Sequence, residues 1–458
     1  MSGRGELAVE VIAHACLRVR SGGRTMLTDP WLFGGIACDS GFLFPPPVAS
    51  VASLAAETDA IYVSHLHPDH FHPPTLAHFP RTIPVYVAAQ RDRRLHDRLR
   101  ALGFTVVEVA PEQVIEVAGT PFRIAMLAQE DTDAGTGDSA IVIAAEGFAL
   151  LDTNDCPLSP AQHEWIRDRF RIDYAFVGYS PASHFPASFE MDAAEKQRLM
   201  RESGERHYRE LVAAALRLRP RLTIPFANSI RFLAPREQWR NASFNNAAEA
   251  VRRLRQAGLA GAVLGPGDGV GIDGTLRQLA PIHDKDEEAA AIARYAAALD
   301  IVDSGASDSA GAGDVAGQAA GGRADDAASR RAGDVVGAAA GAPAADDLPL
   351  RLRDHVLARW QRLRARFPGV SGTVIAYVIP GLPRPRFHLD FSRTAGDVFG
   401  WGEPASYDMR FTYPASALAR LLDGSIDWDE LHFATGVWVH QKRYARDFLR
   451  MLHAAIDD

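Results

Sequence analysis

The sequence predicts an α+β protein built in two unequal parts, and three observations carry that prediction. Short β-branched and aromatic runs alternate with amphipathic helical stretches up to residue 285. Residues 303–347 then consist of Ala, Gly, Asp and Ser with almost no large apolar side chain. Beyond them, residues 348–458 regain aromatic residues and helical periodicity. The expected organisation is a larger domain over 1–285, a helix followed by a disordered linker over 286–347, and a smaller α/β C-terminal domain over 348–458. The linker expectation is energetic: so little apolar surface cannot offset the entropy of ordering.

The elements follow in order. Leu7–Ile12 and Cys16–Arg20 read as strands, and Ser21-Gly22-Gly23 turns the chain into a further strand segment, Thr25–Thr28. Residues 34–50 are rich in Gly and Pro and read as a loop. Asp59–Ser64 is apolar, β-branched and aromatic, as a buried strand requires. Ile83–Ala88 is a strand, and Arg91–Leu102 is a helix stopped by Gly103. Strands follow at Val106–Val109, Val114–Val117 and Phe122–Leu127. Ile141–Ala145 and Phe148–Leu151 flank the turn Glu146-Gly147. A strand at 174–178, a long helix over 192–218, a strand at Leu222–Pro225 and a helix over Ala247–Ala257 complete the larger part. In the smaller part, Leu350–Phe367, Ala415–Leu422 and Lys442–Ile456 read as helices and Val374–Ile379 as a strand.

Composition narrows the function. The net charge of -8 and the lack of a basic run with interleaved aromatics argue against a nucleic-acid partner. Cys16, Cys38 and Cys156 form no CxxC pair, which disfavours a zinc ribbon, a thioredoxin-like site or a Cys-ligated cluster. Glu6, Glu10 and His14 in the first apolar segment do not suit a signal peptide. No run approaches the ~18 uncharged apolar residues of a membrane span. A cytoplasmic protein with no membrane contact is expected.

The most informative segment is Ser64-His65-Leu66-His67-Pro68-Asp69-His70, which follows a buried strand. Pro68 and Pro73-Pro74 forbid further regular strand, so the histidines sit on a loop at the strand's C-terminal end. There His65 and His67 can face one way while Asp69 and His70 reach the same space. Imidazole suits zinc or iron, and a carboxylate suits a harder ion or a second metal beside the first. Further ligands must come from elsewhere. Asp152 ends an apolar strand and can bridge two metals, whereas Asp155 is a weaker candidate that reads more as a local turn residue. Glu130, with Asp131 and Asp133 as alternatives, follows the strand at 122–127. His184, with Asn228 as the other contender, follows the strand at 174–178. Asp29, before Pro30, is placed behind the ligands, where a carboxylate can accept the outer N–H of a ligating histidine.

The order of strand, HxHxDH loop, later ligand and Asp after a hairpin resembles the metallo-β-lactamase superfamily over residues 6–275. The resemblance implies an αββα sandwich with two metal ions at one edge, and it is specific at His65, His67, Asp69, His70 and Asp152. Within the superfamily, Thr28-Asp29-Pro30-Trp31-Leu32, Tyr62 to His70, Ser183-His184-Phe185-Pro186 and Pro225-Phe226-Ala227 look like the metal-fold part of CMP-N-acetylneuraminate hydroxylase. That family also carries a Rieske cluster on paired Cys and His motifs, and no such motif occurs in this sequence, so nucleotide-sugar hydroxylation is not carried over. The di-iron β-hydroxylase of chloramphenicol biosynthesis is similar in placing a glutamate where hydrolases have a histidine, the place Glu130 takes here.

The resemblance implies a dinuclear iron enzyme that activates dioxygen to hydroxylate or oxidise a small molecule. His65, His67 and Glu130 would hold one iron, Asp69, His70 and His184 the other, with Asp152 bridging. Electrons would come from an external donor, because no flavin or iron–sulfur motif is visible. The alternative is a zinc- or manganese-dependent hydrolase of a phosphodiester, lactone or amide.

Overall fold

A computed structural model describes residues 7–129, 137–181, 183–282, 284–301, 347–393, 397–434, 436–442 and 445–454. The hairpin read near the start is formed: Leu17–Ser21 pairs antiparallel with Arg24–Thr28. Gly22 and Gly23 join them at φ +56° and +72°, the left-handed pair that a tight two-residue hairpin turn needs. Leu7–Val11 pairs with Leu17–Ser21, and Arg24–Thr28 continues into the parallel strands Ala60–Tyr62, Val85–Ala88 and Val106–Val109. Gly269–Gly271 and Leu276–Arg277 extend the other edge, giving eight strands. The second sheet has six, in spatial order Leu222–Phe226, Tyr174–Gly178, Phe148–Asp152, Ser139–Ala145, Arg123–Ala128 and Val114–Glu116. Pro225 is tolerated because its strand lies at the sheet edge.

The period-2 pattern of these strands decides the layering. Met26, Tyr62 and Tyr86 of the first sheet face Ile124, Met126, Ile141 and Phe176 of the second in one buried cluster. Their chain neighbours Leu27, Ile61, Val85 and Val87 point outward into a cluster with Leu54 and Leu99, from the helices Val51–Glu57 and Arg94–Ala101. On the opposite side Ala125, Val142, Leu151 and Val177 pack under the helices Pro160–Arg169, Ala193–Leu218 and Ala247–Gln256. The result is helix, sheet, sheet, helix: the α+β sandwich expected.

Residues from Leu348 onward build another core around a six-stranded sheet: Phe189–Glu190, Trp438–Gln441, Met409–Thr412, Val374–Val378, Arg386–Asp390 and Phe399–Trp401. Its edge strand, Phe189–Glu190, comes from the larger part and pairs in parallel with Trp438–Gln441. Helices Leu348–Leu363, Ala415–Leu422, Trp428–Phe433 and Arg446–His453 belong to this core.

Several expectations shift. The helix expected over 442–456 begins at Arg446, because Trp438–Gln441 is held as a strand by two partners. Two short strands, Gly35–Ile36 and Gly41–Leu43, interrupt the expected 34–50 loop, and the second pairs with Ile230–Phe232. Of the stretch read as a linker, 303–346 lies outside the described residues. Among the described residues, no helix is long and apolar enough to cross a membrane.

Candidate metal centre

The parallel strand Ala60–Tyr62 delivers the histidine loop to the edge where both sheets end. After Pro68 the loop folds back on itself, with His70 N and Phe71 N both donating to His67 O, at 3.0 and 2.8 Å. That turn brings Asp69 and His70 back over His65. His72 leaves the cluster: its Nδ1 accepts from Thr75 N at 3.2 Å and caps the short helix Pro73–Leu76.

Ser139 ties the two sheets together here. Tyr62 Oη donates to Ser139 O at 2.8 Å, and Ser139 Oγ donates to Ser64 O at 2.7 Å. Asn154 Nδ2 also donates to Ser139 O, at 3.0 Å. One fully buried serine thereby sets the histidine loop against both Asp138 and the turn that carries Asp155.

Three groups of donor atoms converge, each within 4.8 Å of one another: His65, His67 and Asp138; His65, His70 and Asp155; and His14, Asp69 and His70. His65 Nε2 lies 2.8 Å from His67 Nδ1, and Asp138 Oδ1 lies 3.9 Å from His65 Nε2. His70 Nε2 stands 3.5 Å from both Asp69 Oδ2 and Asp155 Oδ2, and His14 Nε2 stands 3.1 Å from Asp69 Oδ2. Behind the cluster, Asp29 accepts from Ser64 N and Ser64 Oγ, both at 2.7 Å. Its Oδ2 also lies 2.8 Å from His70 Nδ1, and Ser64 Oγ lies 2.9 Å from His65 Nδ1. The outer nitrogens of His65 and His70 are thus engaged, and their Nε2 atoms point inward.

The electrostatics fit a cation. Burial alone would raise the Asp69 carboxyl, but His70, His14 and His67 outweigh it and hold it below the ordinary range. Burial would raise Asp155 as well, but the nearby His70 imidazole outweighs it and holds the carboxyl down at about 2. Burial works against a charge on His70, yet Asp69 and Asp29 hold its imidazole well above the usual value. His65, buried and beside His70, is pushed down to about 4. Burial and the neighbouring Asp29 raise Asp152 well above a normal carboxyl. His14 Nε2, His70 Nε2 and Asp152 Oδ2 are buried without a hydrogen-bond partner among the described residues. Unpartnered buried polar atoms are costly, and ions bound at the converging atoms would remove that cost for His14 Nε2 and His70 Nε2.

The expected residues fall into three classes. His65, His67, Asp69 and His70 converge, and Asp29 stands behind His70. Asp152 is fully buried near Asp29 and His70 but belongs to none of the three groups. Its Oδ1 accepts from Asn154 N at 3.0 Å, whereas Asp155, read as a turn residue, faces His65 and His70. Asn154, in the turn between them, sits at φ +37°. His184 is not brought into any group. It stacks on Phe189 at 5.8 Å and lies 5.5 Å from His432, and burial near His453 lowers it to about 4. Asn228 donates to Tyr179 Oη and Asn245 O. Glu130, Asp131 and Asp133 lie outside the described residues.

Two converging residues were not anticipated. His14 follows the strand Leu7–Val11 just as the HxHxDH loop follows its own strand, a signal available in the sequence. Asp138 immediately precedes Ser139–Ala145, and the pairing of Ala128 with Ser139 brings it to the sheet edge. Only the hairpin register shows that.

Comparison with known proteins agrees with this architecture. Residues 8–130 match the family described as the Beta-lactamase superfamily domain. The cytidine monophosphate-N-acetylneuraminic acid hydroxylase of Danio rerio is 30% identical over 156 residues, 33% of this chain and 26% of that protein. The Asterias rubens enzyme of the same name is 32% identical over 159 residues, 33% of this chain and 24% of that protein. The matches therefore span about a quarter of these relatives' length. The diiron β-hydroxylase CmlA from Streptomyces venezuelae superposes with a TM-score of 0.42 at 19% identity, over 60% of this chain and 55% of that one. A metallo hydrolase from Ignicoccus hospitalis superposes with a TM-score of 0.41 at 16% identity, over 57% of this chain and 96% of that one. Superpositions at that level carry no argument about chemistry. The fold, the donor groups and the hydroxylase relatives support a metal-dependent enzyme. Residues 8–130 match the Beta-lactamase superfamily domain, and the helix, sheet, sheet, helix layering is that of the metallo-β-lactamase fold.

Proposed function

We propose that the chain is a dinuclear iron enzyme that uses dioxygen to hydroxylate a small molecule. The observation that supports this is the carboxylate share of the cluster, since each of the three converging groups contains an aspartate: Asp138, Asp155 or Asp69. Carboxylates add charge and hardness, which favours iron or manganese over zinc. The relatives named as hydroxylases agree with that direction.

In this reading His65 and His67 hold one ion with a carboxylate from the 130–138 segment, either Asp138 or Glu130. Asp69 and His70 hold the other, with His14 beside them. Asp155, which converges with both His65 and His70, would serve either ion, and Asp152 is the buried carboxyl near Asp29 and His70. His184 is kept as a residue of the neighbouring wall. Asp29 takes the outer N–H of His70, and the Ser64 hydroxyl orients His65. When bound, the two ions would activate dioxygen so that one oxygen atom enters a C–H bond and the other leaves as water, with two electrons and two protons from an external donor. We further propose a catalytic domain over 1–285, a connecting segment over 286–347 and a smaller domain over 348–458, in a cytoplasmic protein whose partners are a small-molecule substrate and a reductase.

The test is metal content by plasma mass spectrometry on protein purified without added metal, with an optical spectrum recorded in air. About two irons per chain and a near-ultraviolet oxo-bridge band support the reading. Two zincs and a featureless spectrum overturn it in favour of a hydrolase of phosphodiesters, lactones or amides.

A further inference from the structure

Four ionisable side chains after residue 400 form one line. Tyr413 Oη lies 2.9 Å from His432 Nε2, His432 Nδ1 lies 3.0 Å from His453 Nε2, and His453 Nδ1 lies 2.6 Å from Asp429 Oδ1. Tyr413 follows the strand Met409–Thr412, Asp429 and His432 share a face of Trp428–Phe433, and His453 ends Arg446–His453. The line runs from inside to outside. Tyr413 and His432 have no exposed surface, whereas the side chains of His453 and Asp429 are 15% and 24% exposed. A polar line through an apolar core is costly unless every member is satisfied.

Bonding rules leave one arrangement of protons along it. An ionised carboxylate only accepts, so His453 Nδ1 donates to Asp429. A neutral imidazole has one donor and one acceptor nitrogen. His453 Nε2 therefore accepts from His432 Nδ1, and His432 Nε2 accepts from the Tyr413 hydroxyl. Burial would raise the Asp429 carboxyl, but His453 outweighs it and keeps it ionised. Burial holds His432 neutral and Tyr413 protonated. Every donor thus points the same way, from the buried phenol to the partly exposed carboxylate. A proton arriving at His432 Nε2 passes one from Nδ1 to His453, which passes one to Asp429.

A buried phenol gives up an electron readily only if its proton leaves as well, because otherwise a positive charge is left in an apolar core. Neighbouring rings lack that exit. Tyr377 Oη and Trp428 Nε1 are buried without a hydrogen-bond partner among the described residues. Tyr407 Oη lies 2.9 Å from His440 Nδ1, but the Lys442 ammonium sits 4.1 Å from its ring centre and opposes a positive charge there. The electron has its own way out through stacked rings. Tyr377 lies 6.3 Å from Tyr413, Phe387 lies 5.0 Å from Tyr377, and Trp401, 41% exposed, lies 6.4 Å from Phe387. We propose that Tyr413 is a one-electron redox site, giving its electron to an outer-sphere one-electron oxidant and its proton to the line that ends at Asp429. The phenolic O–H bond breaks and the oxidant is reduced by one electron. The proton bonds to His432 Nε2 as one proton is delivered to Asp429, and a neutral phenoxyl radical remains. Return of one electron and one proton restores the phenol. The site is independent of the metal-centre reading.

The test is flash oxidation of the full chain by photogenerated ruthenium(III) tris-bipyridine. It is read by the optical band and the electron paramagnetic resonance spectrum of a neutral tyrosyl radical. The parent chain is expected to form a long-lived radical, more slowly in heavy water than in light water. Tyr413→Phe should abolish that signal, and Tyr407→Phe should keep it. His432→Phe removes the proton acceptor and should slow formation about 100-fold. Asp429→Asn leaves the buried members in place and should slow it by a smaller factor. No long-lived tyrosyl radical in the parent, or an unchanged signal in Tyr413→Phe, would overturn the inference. If Tyr413→Phe does not fold, an unchanged rate in Asp429→Asn does so.

Discussion

Asp29 Oδ2 lies 2.8 Å from His70 Nδ1, and neither side chain has any exposed surface. The same carboxylate accepts from the backbone and hydroxyl of Ser64, so one group sets the orientation of the histidine loop and the ring that ends it. Its backbone sits at φ +35°, a conformation Asn also tolerates.

Asp29→Asn should therefore fold while losing the negative charge behind His70. The expected result is a fall in metal affinity of about 10–100-fold, measured by chelator competition. Unchanged affinity would show that His70 does not ligate through Nε2.

The carboxylate that completes the His65 and His67 group can be identified by exchange. Asp138→Ala should remove about one metal equivalent per chain, and His67→Ala should do at least the same. Elemental analysis of both beside Glu130→Gln separates the candidates. Loss in Glu130→Gln with full content in Asp138→Ala would transfer the role to Glu130.

Ser139→Ala removes the hydroxyl that donates to Ser64 O, leaving a buried carbonyl short of a partner. The expected cost is about 1–3 kcal/mol in urea unfolding. A loss of metal affinity should accompany it, because the tie between the sheets positions the histidine loop. A change under ~0.5 kcal/mol would mean that Tyr62 alone suffices.

Glu430 gives a pH dependence remote from the donor atoms. Burial, with Asp427 beside it, raises its carboxyl to about 7. A raised folded value means that this group's stabilising contribution is complete below its unfolded value, near 4.5, and is lost as pH rises through about 7. Glu430→Gln keeps an acceptor for Asp427 N and removes that penalty. Its melting temperature should exceed that of the parent by a few degrees at pH 8 and match it at pH 4.5. An equal gain at both pH values would exclude titration as the cause.

Local chemistry determined much of this protein. Alternating apolar strands dictated which side chains face between the sheets, as Ile61 and Tyr62 show by entering different clusters from adjacent positions. Gly22-Gly23 determined a hairpin, and the strand, proline and HxHxDH order determined a loop with four donors at a sheet end. The tertiary structure decided what depends on groups distant in sequence. His14 and Asp138 reach the cluster through strand pairing, and Asp155 joins His65 and His70 from the turn after Asp152. The strand Phe189–Glu190 joins the C-terminal sheet instead of the one that precedes it, which carries His184 to His432 and away from the other donors. A two-residue strand has too little pattern of its own to choose a partner. Its place is set by the edge that Trp438–Gln441 leaves open, and that edge exists only in the folded chain.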